Sequence, residues 1–520
     1  MATVIRLSED KHRAIYLFGL GLMVASIPLS NFTMSLSQFI LAGNWLWEGK
    51  YREKIRTISH NRLILVLVSL FVLHVVGLVF TSDFNYAFKD LRTKLPLLIM
   101  PVVLATVPPL GRKAFRNILL LYVAAVFAGT LVSLYILLTK EIGDIREISP
   151  FISHIRFSLN VCFSIFILSW LLWKRQQGRS VTTLFTIMAL WFAAFLVIIE
   201  SLSGMLALVV TGIVLLLAAI YRVKEPWYRA SVSLGLATLL LLAGFYFHDV
   251  NRSYNKPYKN DLRNLEVFTP RGNPYVHDTL AQPVENGSYI GLYVCEQELR
   301  ETWNARSPYS YDSTDASGME IRYTLIRFLN SKGLRKDAGG VAALSDEEIR
   351  MIERGIANIH YATVLDPNRR LYKMLFELEN YRRKGNPGGS SVVQRLEFWK
   401  ASAGIISDHF WTGVGTGDMP TAFREQYDKM NSRLAPEFRW RSHNQYLSVF
   451  AGFGIFGFLL FVFTLIWPLS IKRCRTYLYI CFFSVMAVSM LIEDTLESQA
   501  GVTLFAFFTS FLLFMQPRDS

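Results

Sequence analysis

The sequence predicts an all-α polytopic membrane protein with about 12 transmembrane helices and one large loop domain. Three observations carry that prediction. Hydrophobic residues fill 52% of the 520 positions, aromatic residues 14%, and mean hydropathy is +0.31, which sits with membrane proteins rather than soluble enzymes. Apolar stretches of helical length recur along the chain, each near the length that a bilayer core requires. Lys and Arg gather in alternate short connections, which is the positive-inside pattern.

The stretches run near 14–30, 31–48, 63–80, 95–109, 117–138, 157–173, 181–199, 204–221, 230–247, 443–467, 476–492 and 500–516. Basic residues cluster after the second, fourth, sixth, eighth and tenth: Lys50 to Arg62, Arg112 to Arg116, Lys174 to Arg179, Arg222 to Arg229, and Lys472 to Arg475. These connections all fall on one side, so that side is expected to be cytoplasmic, with both termini. The long connection then lies outside. It divides the chain into membrane helices 1–9 over 1–247, a loop domain over 248–442, and helices 10–12 over 443–520.

The net charge of +14 follows from this topology. Residues 248–442 carry 27 Lys and Arg against 25 Asp and Glu, so most of the excess lies in the helix connections and termini. A nucleic-acid partner is not needed to explain it. Of the four cysteines, only Cys295 is expected outside, so no intramolecular disulfide is implied, and no Cys/His cluster suggests zinc. Met1–Arg13 is polar, and the first apolar stretch reads as a membrane span with no evident A-x-A cleavage site, so a cleaved signal peptide is not expected.

Within the loop domain, Asn251–Ser310 is rich in Asn, Pro, Tyr and Gly and reads as irregular. Ile321, Leu325, Ile326 and Leu329 then recur at helical spacing. Ser345-Asp-Glu-Glu348 has the form of an N-cap with an acidic first turn. Ile349–Leu378 continues as one or two amphipathic helices interrupted near Asp366-Pro367, and Asn386-Pro-Gly-Gly-Ser390 is a breaker. Ser391–Ser407 reads as another amphipathic helix, with Val393, Leu396, Trp399 and Ala403 on one face and Arg395 and Glu397 away from it. Gly413-Val-Gly-Thr-Gly417 follows, as a turn or as the wall of a ligand cleft.

An enzyme facing away from the cytoplasm has no nucleotide-sugar or ATP supply. Group transfer there draws on an activated donor already moved across the bilayer, such as a polyprenyl diphosphate carrying a glycan. Arginine forks suit the diphosphate, and histidine suits deprotonation of an acceptor hydroxyl. His443 stands in Arg439-Trp-Arg-Ser-His-Asn444 at the mouth of a membrane helix, where cations beside the ring favour its neutral form. An interfacial basic belt is the competing reading of that cluster. Arg156 is expected at the outer end of the sixth stretch, where snorkelling is the alternative. Glu493, Asp494 and Glu497 lie between the last two stretches and could orient a histidine or arginine, or simply be solvated. Glu200 is a weaker candidate. No metal site is indicated, and arginines would stabilise the leaving group without a cofactor.

In order, Arg395-Leu-Glu-Phe-Trp-Lys-Ala401, Gly413-Val-Gly-Thr-Gly417, His443-Asn-Gln-Tyr-Leu447 and Gly452-Phe-Gly-Ile-Phe-Gly457 resemble the O-antigen ligase family. Its superfamily also holds O-antigen polymerases and bacterial protein O-oligosaccharyltransferases. The resemblance implies a C-type glycosyltransferase fold in a bacterial inner membrane, with the loop domain in the periplasm. It also implies inverting transfer of a glycan from undecaprenyl diphosphate to lipid A–core or another hydroxyl acceptor. The family's histidine falls on His443 and its loop arginine on Arg395. Where relatives often carry Ser-Arg at the outer end of a helix, this chain reads Ser203-Gly-Met205, so that arginine's role would pass to Arg156 or another residue. Arg156, Arg395, Arg439 and Arg441 are thus the expected diphosphate contacts, and His443 the base. Membrane lipids are the remaining expected partner. Polymerase and protein glycosyltransferase remain open as alternatives, and a lipid-linked glycan transporter is the rival from another class.

Overall fold

The computed structural model describes residues 7–140, 145–175, 177–222, 225–255, 262, 264–279, 284–362, 369–385, 387 and 391–517. The chain is 75% helical with few strands, as an all-α membrane protein requires. A helix occupies each of the predicted apolar stretches. Among the described residues seven are long and apolar enough to cross a bilayer: Arg62–Phe80, Arg112–Thr139, His154–Lys174, Arg179–Ile198, Leu202–Tyr221, Pro226–Arg252 and Gln445–Ser470. Tyr477–Ile492 and Gln499–Met515 are apolar but shorter. The stretch at 95–109 forms only the short helix Pro96–Thr106, because Pro96 sets its first turn.

The chain forms two compact units. The first takes in Met1–Ala219, Glu397–Ser432 and Pro436–Ser520; the second takes in Ile220–Leu396 and Arg433–Ala435. At the heart of the first unit Phe115, Tyr122, Phe163, Phe482, Phe508 and Phe511 are buried against one another, with centroids 4.7 Å apart for Tyr122 and Phe508. In a bilayer the driving force is this van der Waals packing, since lipid already satisfies apolar surface. The Tyr122 hydroxyl is still paired, donating to Asn160 Oδ1 at 2.7 Å.

In the second unit, Leu299, Trp303, Leu325, Phe328, Leu329, Ile349 and Ile352 form a water-soluble type of core. The expected N-cap is a full capping box: Ser345 Oγ accepts from Glu348 N–H, and Glu348 returns the bond to Ser345 N–H. The segment expected to be irregular is not uniformly so. Short antiparallel pairs join Val276–Asp278 to Gly291–Val294 and Val284–Glu285 to Ser288–Tyr289, and Glu296–Arg306 is a helix. Its acidic first turn and the i, i+4 pair Leu299 and Trp303, both buried, explain that helix. The Asp366-Pro367 interruption and most of the Asn386–Ser390 breaker lie outside the described residues. All four cysteines are buried and free.

Candidate active site

The helix Gln445–Ser470 is broken at Gly454, whose φ of 63° no ordinary helical residue adopts. Here the glycine segment has its purpose. Val414 N–H and Gly415 N–H donate to the carbonyls of Ala451 and Gly452 at 3.0 and 2.8 Å, and Ile455 N–H donates to Phe410 O at 2.8 Å. Backbone groups freed by the break are thereby satisfied, as low-dielectric surroundings demand. A Cβ at Gly413 would overlap the Gly452 carbonyl, so the two backbones can approach only because that position is glycine. Thr416 Oγ1 and Asp418 anchor the other side, the first donating to His74 O at 2.6 Å and the second accepting from Ser82 and Asp83. The turn is a brace for the helix whose N-terminus carries His443.

His443 itself has φ 45°, a left-handed conformation that side-chain-bearing residues adopt only under constraint. Asp494 is the constraint. Its Oδ2 accepts the His443 N–H at 3.0 Å, and its Oδ1 accepts the Asn444 N–H at 3.1 Å. Oδ1 also accepts the hydroxyls of Ser442 and Ser448, at 3.0 and 2.7 Å. Successive amides in such a turn form a concave anion seat. Burial, and after it the charge of Glu497, lift the Asp494 carboxyl above the usual aspartate range. Asn444 then caps the membrane helix, its side chain accepting from Leu447 N–H at 3.2 Å.

The ring is held independently of its backbone. Glu493 Oε2 lies 3.3 Å from His443 Nδ1, and the Phe398 ring stacks on the imidazole at a centroid distance of 5.3 Å. A carboxylate on Nδ1 keeps the proton there and leaves Nε2 as the basic nitrogen. The flanking arginines face elsewhere. Arg441 Nη1 donates to Glu497 Oε2 at 2.6 Å, and Arg439 Nη1 donates to Asp428 Oδ1 at 2.6 Å. The group paired with the imidazole is therefore a carboxylate, Glu493, so sequence neighbours misstate its electrostatic surroundings.

Glu497 is the hub of a buried charge network. Lys94, fully buried, lies 2.9 Å from Glu497 Oε2 and 3.5 Å from Asp90, and donates to Leu496 O at 2.6 Å. Gln445 Nε2 donates to Glu497 Oε1 at 3.1 Å, while its Oε1 accepts Leu496 N–H at 2.7 Å. Burial raises a carboxyl, but Lys94 and Arg441 outweigh it and hold Glu497 well below the usual glutamate range. The three carboxylates between the last two helices thus have separate tasks: Glu493 holds the ring, Asp494 the His443 backbone, and Glu497 the cations.

A cleft of about 550 Å³ opens beside this network, walled by Tyr86, Phe423, Arg424, Arg439, Trp440 and Arg441. Three guanidinium groups line a single concavity. Arg156 is half-buried at the start of His154–Lys174, donates to Ser153 Oγ at 3.1 Å, and lies within electrostatic reach of Glu493 and Asp494. Its Nε finds no partner among the described residues. The Ser203-Gly-Met205 segment meets the same helix two residues further on. Ser201 and Ser158 hydroxyls are 2.7 Å apart, and a Cβ at Gly204 would overlap Ser158. Arg395 is half-buried on the helix Ser391–Asp408, one turn before Phe398, and belongs to the second unit. Glu397, expected away from the apolar face of its helix, is buried and accepts the Ser432 hydroxyl at 3.0 Å.

Lys94, Asp90, Gln445 and Arg424 were not anticipated. Lys94 and Asp90 read in sequence as charges flanking an apolar stretch, and nothing local marks Lys94 as buried. Among curated proteins, no relative matches the chain. Residues 356–462 match the family model described as O-antigen ligase, an interval that contains Arg395, the glycine brace, His443 and the helix break at Gly454. Over these residues the chain is similar to the O-antigen ligase family.

Proposed function

We propose that this membrane glycosyltransferase moves a glycan from undecaprenyl diphosphate to an acceptor hydroxyl in the periplasm, with lipid A–core as the acceptor. The observation that carries the reading is the His443 arrangement. Glu493 on Nδ1, Phe398 on the ring face and Asp494 under the backbone fix one imidazole with Nε2 as its basic nitrogen.

In the reaction, His443 Nε2 takes the proton of the acceptor hydroxyl as its oxygen attacks the anomeric carbon. The carbon–oxygen bond to phosphate breaks, and undecaprenyl diphosphate departs with the electron pair. Attack opposite the leaving group inverts the anomeric centre. Charge on the departing diphosphate is met by Arg424, Arg439 and Arg441 of the cleft, with Arg156 as a further contact. Arginines in the role of a divalent ion make the transfer metal-independent. Glu493 becomes the counter-charge of the imidazolium, which lowers the barrier to proton transfer.

The test is transfer by pure protein from a lipid-linked glycan to lipid A–core, without added metal or nucleotide. Core capped in a His443-dependent way supports the ligase reading. Elongation of a second lipid-linked repeat instead, with core untouched, assigns a polymerase.

A further inference from the structure

Lys94 ends the helix Phe84–Lys94 with its side chain wholly buried. Taking an ammonium out of water costs several kcal/mol, which a single good carboxylate partner would offset. Two cations and two carboxylates meet here instead. Glu497 Oε2 accepts from Lys94 Nζ at 2.9 Å and from Arg441 Nη1 at 2.6 Å, so one oxygen serves both. Asp90 Oδ1 is the more distant partner of Lys94, at 3.5 Å. Burial, in spite of Lys94, pushes the Asp90 carboxyl up to about 6, so Lys94 leans on Glu497.

Arg441 stands at the edge of this cluster. It lines the cleft of about 550 Å³, and also a buried space of about 20 Å³ shared with His74, Asp90 and Glu497. Its side chain is 24% exposed, and its guanidinium sits 5.3 Å from the centre of the Tyr86 ring. Among the described residues its one hydrogen bond goes to Glu497. That bond has two opposed effects. It fixes the guanidinium in the cleft wall, and it neutralises the charge that would attract an anion. An arginine paired one-to-one with a carboxylate presents little net charge to a diphosphate. A second cation on the same oxygen relieves that neutralisation without releasing the arginine.

We propose that Lys94 is a positioning residue for donor binding: by sharing Glu497 Oε2, it leaves Arg441 anchored but only partly neutralised towards the diphosphate. The proposal rests on the reading of the cleft as the diphosphate site. Lys94 acts through Arg441 and not through the base. Gln445 independently holds Leu496 N–H and Glu497 Oε1, and Glu493 and Asp494 hold His443.

Equilibrium binding of undecaprenyl diphosphate and undecaprenyl phosphate to the pure chain tests this and needs no acceptor. Lys94→Met should weaken diphosphate binding about tenfold and binding of the less charged monophosphate by less than about threefold. A merely structural role would weaken both alike. In an Arg441→Gln background, adding Lys94→Met should change the diphosphate Kd by less than about twofold, because the two residues act as one unit. Lys94→Met/Glu497→Gln removes the lysine together with the carboxylate that neutralises Arg441, and keeps the test open if Lys94→Met fails to fold. It should bind the diphosphate at least as tightly as the wild-type chain. Unchanged diphosphate binding in Lys94→Met, equal losses for the two lipids, or a double variant about tenfold weaker than wild type overturns the role of Lys94 alone. A wild-type chain that binds no undecaprenyl diphosphate overturns the reading of the cleft, and this role with it.

Discussion

Asp494 holds the His443 peptide in a left-handed turn, accepting its N–H at 3.0 Å while the side chain of His443 is gripped separately by Glu493. The base is therefore positioned from both ends. A ring set by its side-chain contacts alone would swing with the loop, and one set by its backbone alone would rotate about its own bonds.

Asp494→Ala removes the acceptor for two amides and two hydroxyls and lets the strained turn relax. A base displaced by about 1 Å loses on the order of 100-fold in rate, so single-turnover glycan transfer should fall by that factor. Donor affinity, measured by equilibrium binding, should change less than threefold.

Glu493→Gln keeps the volume but removes the charge that faces Nδ1. The transfer rate should drop about 10- to 100-fold, with the fall concentrated in kcat rather than KM. A rate within twofold of wild type would mean that Glu493 does not set the imidazole.

Glu497 gives the pH dependence of stability. Its carboxyl is held below the ordinary value of 4.5, so its stabilising contribution is complete above pH 4.5 and is lost as pH falls towards the depressed value. Asp494 runs the other way: raised above 3.8, its contribution is complete below that value and is lost as pH rises through the raised one. Tm measured against pH should therefore drop on the acid side in wild type. Glu497→Gln should flatten that limb and lower Tm at neutral pH, because removing one partner of the Lys94 pair costs about 3–5 kcal/mol.

Gly413→Ala should fail where Gly43→Ala does not. A Cβ at Gly413 meets the Gly452 carbonyl, whereas none would meet an atom at Gly43. The expected outcome is loss of monodisperse protein in detergent, or a Tm several degrees lower, for the first substitution only.

Much of this was legible beforehand because it is periodic or local. Apolar runs gave the helices, Ser345-Asp-Glu-Glu348 gave an N-cap with an acidic first turn, and the ordered motifs singled out His443. The charge network was not legible. Lys94 and Glu497 are distant in sequence, and a lysine beside an apolar stretch looks like a topological signal until its burial is seen. Arg439 and Arg441 misled for a related reason: adjacency in sequence says nothing about which carboxylate each will face. Nor does a glycine run announce that it will brace a broken helix, since the break at Gly454 lies in a different apolar stretch.

The most direct measurement is transfer of glycan from undecaprenyl diphosphate to lipid A–core by the pure chain and by His443→Ala, read as capped core per unit time without metal or nucleotide. Capped core from the wild-type chain and at least a 100-fold lower rate from His443→Ala are expected. Equal rates from the two proteins would contradict His443 as the base.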